Sequence, residues 1–122
     1  MDTQKLTTAD GQEVIRISED GPQIVNAQSA LDLILTVQYE TGCSKLILPK
    51  KIFTEAFFSL KTGLAGEILQ KFVNYQFRVA IIGDFSGYHS KSLADFIYES
   101  NKGRQVSFLP DEESALLWFQ AN

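Results

Sequence analysis

Two rhythms run along this chain. Near the start the pattern favours period two, the spacing of a strand. Residues 4–9 and 12–18 form two such runs around Asp10-Gly11, with Val14, Ile15 and Ile17 in the second. Asp-Gly between strand-like runs predicts a hairpin with a type I′ turn, whose two central positions need positive φ. Glu19-Asp20-Gly21-Pro22 then breaks the second run. From there the helical spacing takes over. Ser29-Ala30-Leu31-Asp32 has capping-box spacing with aspartate in the fourth place. It predicts a helix over 30–41 with Leu31, Ile34 and Leu35 inward and Gly42 just past its end.

The two rhythms alternate through the rest of the chain. Residues 45–48, before Pro49, predict a short buried strand, and 55–60 a helical turn. The stretch KTGLAGEILQKFVN (61–74) places Ile68, Leu69, Phe72 and Val73 on a helical stripe reaching about residue 75. FRVAII (77–82) is almost continuously apolar, as expected of a strand buried on both faces in a parallel sheet. A helix follows over 90–101 with Leu93, Phe96 and Ile97 inward, closed by Gly103, and then a strand over 105–109. Asp111 caps a last helix with Ala115, Leu116 and Phe119 inward and acidic residues in its first turn. The order β-β-α-β-α-β-α-β-α predicts an α/β fold. Its sheet is mixed, mostly parallel and packed with helices, and the leading hairpin forms an antiparallel edge.

Composition narrows the picture. At 122 residues, 44% hydrophobic and 21% charged, the chain is one domain's worth and can bury a single core without staples. No low-complexity tract or linker divides it. Eleven basic and fifteen acidic residues give a net charge of −4, with no general attraction to phosphate backbones, so nucleic acid is not a predicted partner. One cysteine, Cys43, cannot form an internal disulfide and fits a reducing compartment. The first ten residues lack an apolar signal core. Stretches such as LDLILTV are too short and polar to span a bilayer. A cytoplasmic protein with no membrane association is expected.

The residues do not spell out an enzyme. No Walker A or dinucleotide fingerprint is present. One histidine and one cysteine exclude a Cys/His zinc cluster within one chain, and neither metal nor cofactor is predicted. A Ser-His-Asp triad would have to recruit His89, in a polar loop without a nucleophile elbow.

Two stretches hold candidate binding residues. GDFSGYHSKS (83–92) follows the carboxyl end of the strand 77–82, the edge that ligands favour in open α/β sheets. Its Asp84, Ser86, Tyr88, His89, Ser90 and Lys91 can all form hydrogen bonds. Ordinary turn and cap chemistry accounts for the same residues, with Ser90 capping the next helix and Asp84 satisfying loop amides. The second stretch is the helix start at Lys61-Thr62-Gly63. Free N–H groups there attract anions, Lys61 adds positive charge, and a phosphate on Thr62 would be stabilised. Packing is the simpler reading: Gly63 and Gly66, three apart with Ala65 near, would let the helix approach the sheet or a second subunit closely. Phe53, Phe57, Phe58, Phe72, Tyr75 and Phe77 crowd around the same crossover as core, any exposed share offering a partner face or apolar pocket. Trp118 reads as core or interface.

The runs KTGLAGEILQKFVNYQFRVAIIGDFS and SKSLADFIYESNKGRQVSF resemble the bacterial family labelled domain of unknown function 4180. The likeness extends over nearly the whole chain and is most specific between Lys61 and Phe108. It implies a single small domain with no assigned activity. That family's element order is similar to STAS-like domains, the class of the anti-sigma-factor antagonists. Those antagonists carry Asp-Ser-Ser-Gly-Leu-Gly at a helix start, where a partner kinase phosphorylates one serine and switches partner binding. In this chain Leu60-Lys61-Thr62-Gly63-Leu64-Ala65 falls at a comparable place, with Thr62 matching the modified serine and Gly63-Leu64 matching Gly-Leu. The leading aspartate is absent, lysine replaces the first serine, and alanine stands for the second glycine. The resemblance implies a STAS-like, non-enzymatic regulatory module that contacts a protein partner through the Thr62 helix start and the 83–92 loop. A small-ligand domain, for an anion or an apolar molecule at the same edge, is the alternative. A homodimer is compatible with the aromatic content.

Overall fold

The computed structural model describes residues 2–18 and 21–121. Five strands and four helices follow in the expected order: β1 (Asp2–Thr7), β2 (Glu13–Ser18), α1 (Ala27–Thr41), β3 (Lys45–Pro49), α2 (Leu64–Asn74), β4 (Arg78–Ile82), α3 (Lys91–Asn101), β5 (Val106–Leu109) and α4 (Glu112–Ala121). Three short 3-10 turns, Lys50–Ile52, Glu55–Phe58 and Leu60–Thr62, fill the passage from β3 to α2. Among the described residues no helix is long and apolar enough to cross a membrane.

The sheet is five-stranded, with its strands side by side in chain order. β1 pairs antiparallel with β2, and β2, β3, β4 and β5 are parallel neighbours. The helices divide between the faces by strand parity. Ile15, Ile17, Leu46, Leu48, Val79, Ile81 and Phe108 point to one side and share a core with α1, α2 and α3. Val14, Ile47 and Ala80 point to the other and meet Ala115 and Phe119 of α4. Crossovers of one hand, run in strand order, put every crossover helix on the same face. Only the terminal helix is free to cover the other. β4 is buried on both faces, and hence apolar almost throughout.

Several local details differ from expectation. The hairpin has no type I′ turn. Thr7 pairs with Glu13, and the loop closes through Thr8 N–H to Gln12 O (2.9 Å) and Gly11 N–H to Thr8 O (3.0 Å). Only Gly11 takes a positive φ, +88°, as in three-residue loops that end in a left-handed glycine. Asp10 serves the loop instead through its side chain. Its carboxylate accepts from the Thr8 hydroxyl and from Gln12 Nε2, and those hydrogen bonds hold its pKa below the usual value.

Helix α1 begins three residues early. Asn26 is the cap: its Oδ1 accepts from Ser29 N–H (2.8 Å), and Ser29 Oγ accepts from Asn26 N–H (3.1 Å). Ser29 is therefore the inner member of the capping box, and Asp32 has no part in it. Ala30, Leu33, Ile34 and Val37 form the buried stripe, while Leu31 sits at its margin and Leu35 is exposed. In α4, Ala115 and Phe119 are buried and Leu116 is half-buried. Gly42 ends α1 in the left-handed region as expected, at φ +70°. Of the predicted breaker, Glu19 and Asp20 lie outside the described residues.

Candidate functional site

The parallel strands end level. Pro49 pairs with Ile82 and Ile82 with Leu109, so the segments leaving β3 and β4 emerge side by side. One is the run of 3-10 turns from Lys50 to Thr62; the other is the loop from Gly83 to Ser90. Their first residues touch. A Cβ at Gly83 would stand 2.8 Å from Lys50 Cβ, so this position admits only glycine while Lys50 lies across the end of β4.

Lys50 organises the loop. Its Nζ donates to the Asp84 carbonyl (2.9 Å) and lies 4.6 Å from the centre of the Tyr88 ring and 5.9 Å from that of Phe85. Tyr88 stacks on Phe58 at 5.1 Å, and its hydroxyl donates to Glu55 (3.3 Å). Burial, with Glu55 adding to it, pushes the Tyr88 pKa up, so the side chain remains a phenol at neutral pH. Phe85 packs edge-on against Phe108 and so ties the loop to the main core. Asp84 turns into its own loop, its Oδ1 accepting from Ser86 N–H (2.9 Å) and Ser86 Oγ (2.6 Å). Those bonds, helped by Lys50, hold its pKa below the usual value.

Between the two segments lies an open cleft of about 450 Å³. Glu55, Phe58, Ser59, Leu60 and Lys61 form one wall, and Tyr88, Ser90 and Ser92 the other. Lys61 and Tyr88, from the two separate stretches singled out in the sequence, therefore face one cleft. Ser90 shares the second wall with Tyr88, and the other candidates do not line the cleft. Thr62 stands behind Lys61: its hydroxyl lies within donating distance of the Ser59 (2.8 Å) and Ala56 (3.0 Å) carbonyls and accepts from Leu64 N–H (3.2 Å). The first amide of α2, which an anion would use, is thus already taken. Gly63 caps α2 with φ +75°. His89 is exposed in the loop, and Lys91 pairs with Asp95 (2.7 Å). Ser90 caps α3, its Oγ accepting from Leu93 N–H (3.2 Å).

Close packing of Gly63 and Gly66 against the sheet fails as an explanation. A Cβ at either would meet no atom within 4 Å. Gly63 is required by its backbone angle, and Gly66 faces open space. Of the six crossover aromatics, all five phenylalanines are buried and Tyr75 alone is substantially exposed.

Sequence reasoning missed Lys50 and Glu55, and singled out Phe58 only as one of the six crossover aromatics. The signal that could have found Lys50 is register: it and Gly83 each follow the last residue of neighbouring parallel strands. Glu55 and Phe58 sit in turns too short to carry a periodic pattern. Among the described residues no group of three or more His, Cys, Asp or Glu is gathered as a metal site. The cleft offers an aromatic wall, a carboxylate and a lysine, fitted to binding through mixed polar and apolar contact. No curated protein and no solved structure matches the chain. Residues 9–119 match the model of the family described as Domain of unknown function (DUF4180), and the chain belongs to that family.

Proposed function

We propose that this protein is a non-enzymatic, STAS-like regulatory module of the bacterial cytoplasm that works by contact with a protein partner. One observation carries the reading: the Lys61 turn and the Tyr88 loop, separate in sequence, form the two walls of one open cleft at the carboxyl ends of the parallel strands. An open cleft with an aromatic wall and flanking charges suits a protruding segment of another protein better than an enclosed metabolite. The mixed sheet with a leading antiparallel hairpin is in keeping with the STAS-like likeness. Thr62 adds a switch to the proposal. Its hydroxyl holds the Leu60–Thr62 turn that presents Lys61. A phosphate there would remove the donor and place negative charge beside Lys61.

The test is capture of partners from the source cell by wild type, Lys61→Glu and Tyr88→Ala, with melting temperatures recorded alongside. Partners lost by both variants, at melting temperatures within a few degrees of wild type, support the cleft. Retention of every partner by both variants removes it. Thr62→Glu and Thr62→Ala that bind like wild type remove the switch.

A second reading, a small-anion site, rests on a hollow of about 350 Å³ at the same strand ends, where Lys50 and Lys51 outnumber the one carboxylate, Glu55, in the lining. A thermal-shift screen against small anions separates it from the first, since a ligand selective for the native state raises the melting temperature.

A further inference from the structure

Gly66 opens onto a trough that shares no lining residue with this cleft. Helices α2 and α3 flank a hollow of about 350 Å³ that reaches Val106 at the start of β5. Leu69, Val73, Phe96 and Val106 supply its apolar lining. At one end it includes Arg104 and Gln105, and the same two residues line a second hollow of about 240 Å³ that extends to Arg78 at the start of β4. The apolar trough thus ends at Arg104, beyond which the second hollow leads to Arg78.

Among the described residues the arginine pair has no acidic partner. Arg78 is wedged against the rings of Trp118 (4.8 Å) and Phe119 (5.2 Å), and its Nε donates to the Arg104 carbonyl (2.8 Å). Its Nη2 is enclosed without a hydrogen-bond partner. Burial, and then the charge of Arg104, pull its pKa down. Glu99 is the one acidic residue lining either hollow, and it is paired with Lys102 (3.3 Å). Among the described residues neither arginine has an ion pair, in a chain whose net charge is −4. Two like charges held together beside an apolar surface complement a ligand with an anionic head and an apolar body.

We propose that this trough binds an amphipathic carboxylate, a free alkyl-chain acid. The chain lies along Leu69, Phe96 and Val106, and the carboxylate meets Arg104 with Arg78 behind it. This site is distinct from the cleft at the carboxyl ends of the strands and does not depend on it.

Gly66 provides a clean test. A leucine there would fill open space at the trough's edge while replacing a poor helix former with a good one. Gly66→Leu should therefore keep or raise the melting temperature and lose the ligand. Sodium dodecanoate is titrated below its micelle concentration by calorimetry and thermal shift, with dodecyltrimethylammonium and acetate as controls. Saturable binding of dodecanoate alone is expected, weakened at least tenfold in Arg104→Gln and abolished in Gly66→Leu. The proposal is overturned if dodecanoate does not bind or if the cationic amphiphile binds as tightly. It is equally overturned if either variant binds dodecanoate like wild type.

Discussion

The two faces of the sheet are built differently. On one, three crossover helices bury a continuous core of twenty-four described residues, so a side chain lost there leaves a void walled on all sides. On the other, α4 alone covers a core of five, which leaves much of its hold to polar ties at the helix margins. Arg16 pairs with Glu112 at the first turn of α4 (2.6 Å), and Gln12 Nε2 donates to the Phe119 carbonyl near its end (3.1 Å). Arg78 lies against Trp118 and Phe119. The proposed partner cleft belongs to the larger core, since Phe58 is part of it and Phe85 and Tyr88 pack against it. Stability and the candidate site therefore share one face, and α4 acts as a clasped lid on the other.

The contrast is broken or kept most directly by truncating one fully buried phenylalanine on each side. Phe72 of α2 and Phe119 of α4 are both at 0% exposure. Removing a buried phenylalanine costs about 3–5 kcal/mol, the spread depending on how far the surroundings can close the hole. Phe72, enclosed by helices and sheet, should fall near the top of that range. Phe119, under a single helix free to settle, should fall near the bottom. Urea unfolding of Phe72→Ala and Phe119→Ala measures both. An equal or larger loss in Phe119→Ala would show that the lid holds as much of the fold as the three-helix core.

Much of this architecture could be read from the chain, and what could not has physical causes. The apolar run of β4 announced a strand buried on both faces, and Gly42, Ser90 and Asp111 announced helix ends, because each is a local requirement. The α1 start was misplaced because two Asx/Ser-type caps, Asn26 and Ser29, stand three residues apart and either can begin a helix. That Lys61 and Tyr88 line one cleft was invisible. It depends on two strands ending level, a property of register that no spacing within one segment contains. Lys50 was missed for the same reason, and Glu55 because a 3-10 turn of four residues has no stripe to read. Gly66 was legible only as an anomaly, since packing and open space look alike until neighbours are placed.

The three-helix face is itself uneven, and Asn101 sharpens where. Leu93 is the one fully buried residue of α3, so that helix is thinly anchored by apolar contact. Asn101 at its end makes up part of the deficit. Its Oδ1 accepts from Phe108 N–H (2.7 Å) and its Nδ2 donates to Phe108 O (3.0 Å), closing the outward backbone groups of the edge strand β5. Asn101→Ala leaves both groups without a partner and should cost about 1–3 kcal/mol. The bared edge should also make the variant's oligomeric state depend on concentration. Light scattering and urea unfolding together test this. A loss under about 0.5 kcal/mol with an unchanged monomer–oligomer balance would mean that water replaces the amide freely.

The smallest effect is expected at the lid's own clasp. The Arg16–Glu112 pair is short, but both side chains are about a third exposed, and such pairs contribute about 0–1 kcal/mol. Against that stands Arg16 Nε, enclosed without a hydrogen-bond partner, which carries an unrecovered desolvation cost. Arg16→Met keeps most of the stem that covers the small core and removes both the ion pair and the orphaned donor. The two changes oppose each other, so stability should move by less than about 0.5 kcal/mol. Raising sodium chloride should move the difference in favour of the variant, since screening weakens only the ionic part that the variant lacks. A loss above about 1.5 kcal/mol, insensitive to salt, would place the clasp among the main supports of α4 and erase the contrast between a packed face and a fastened one.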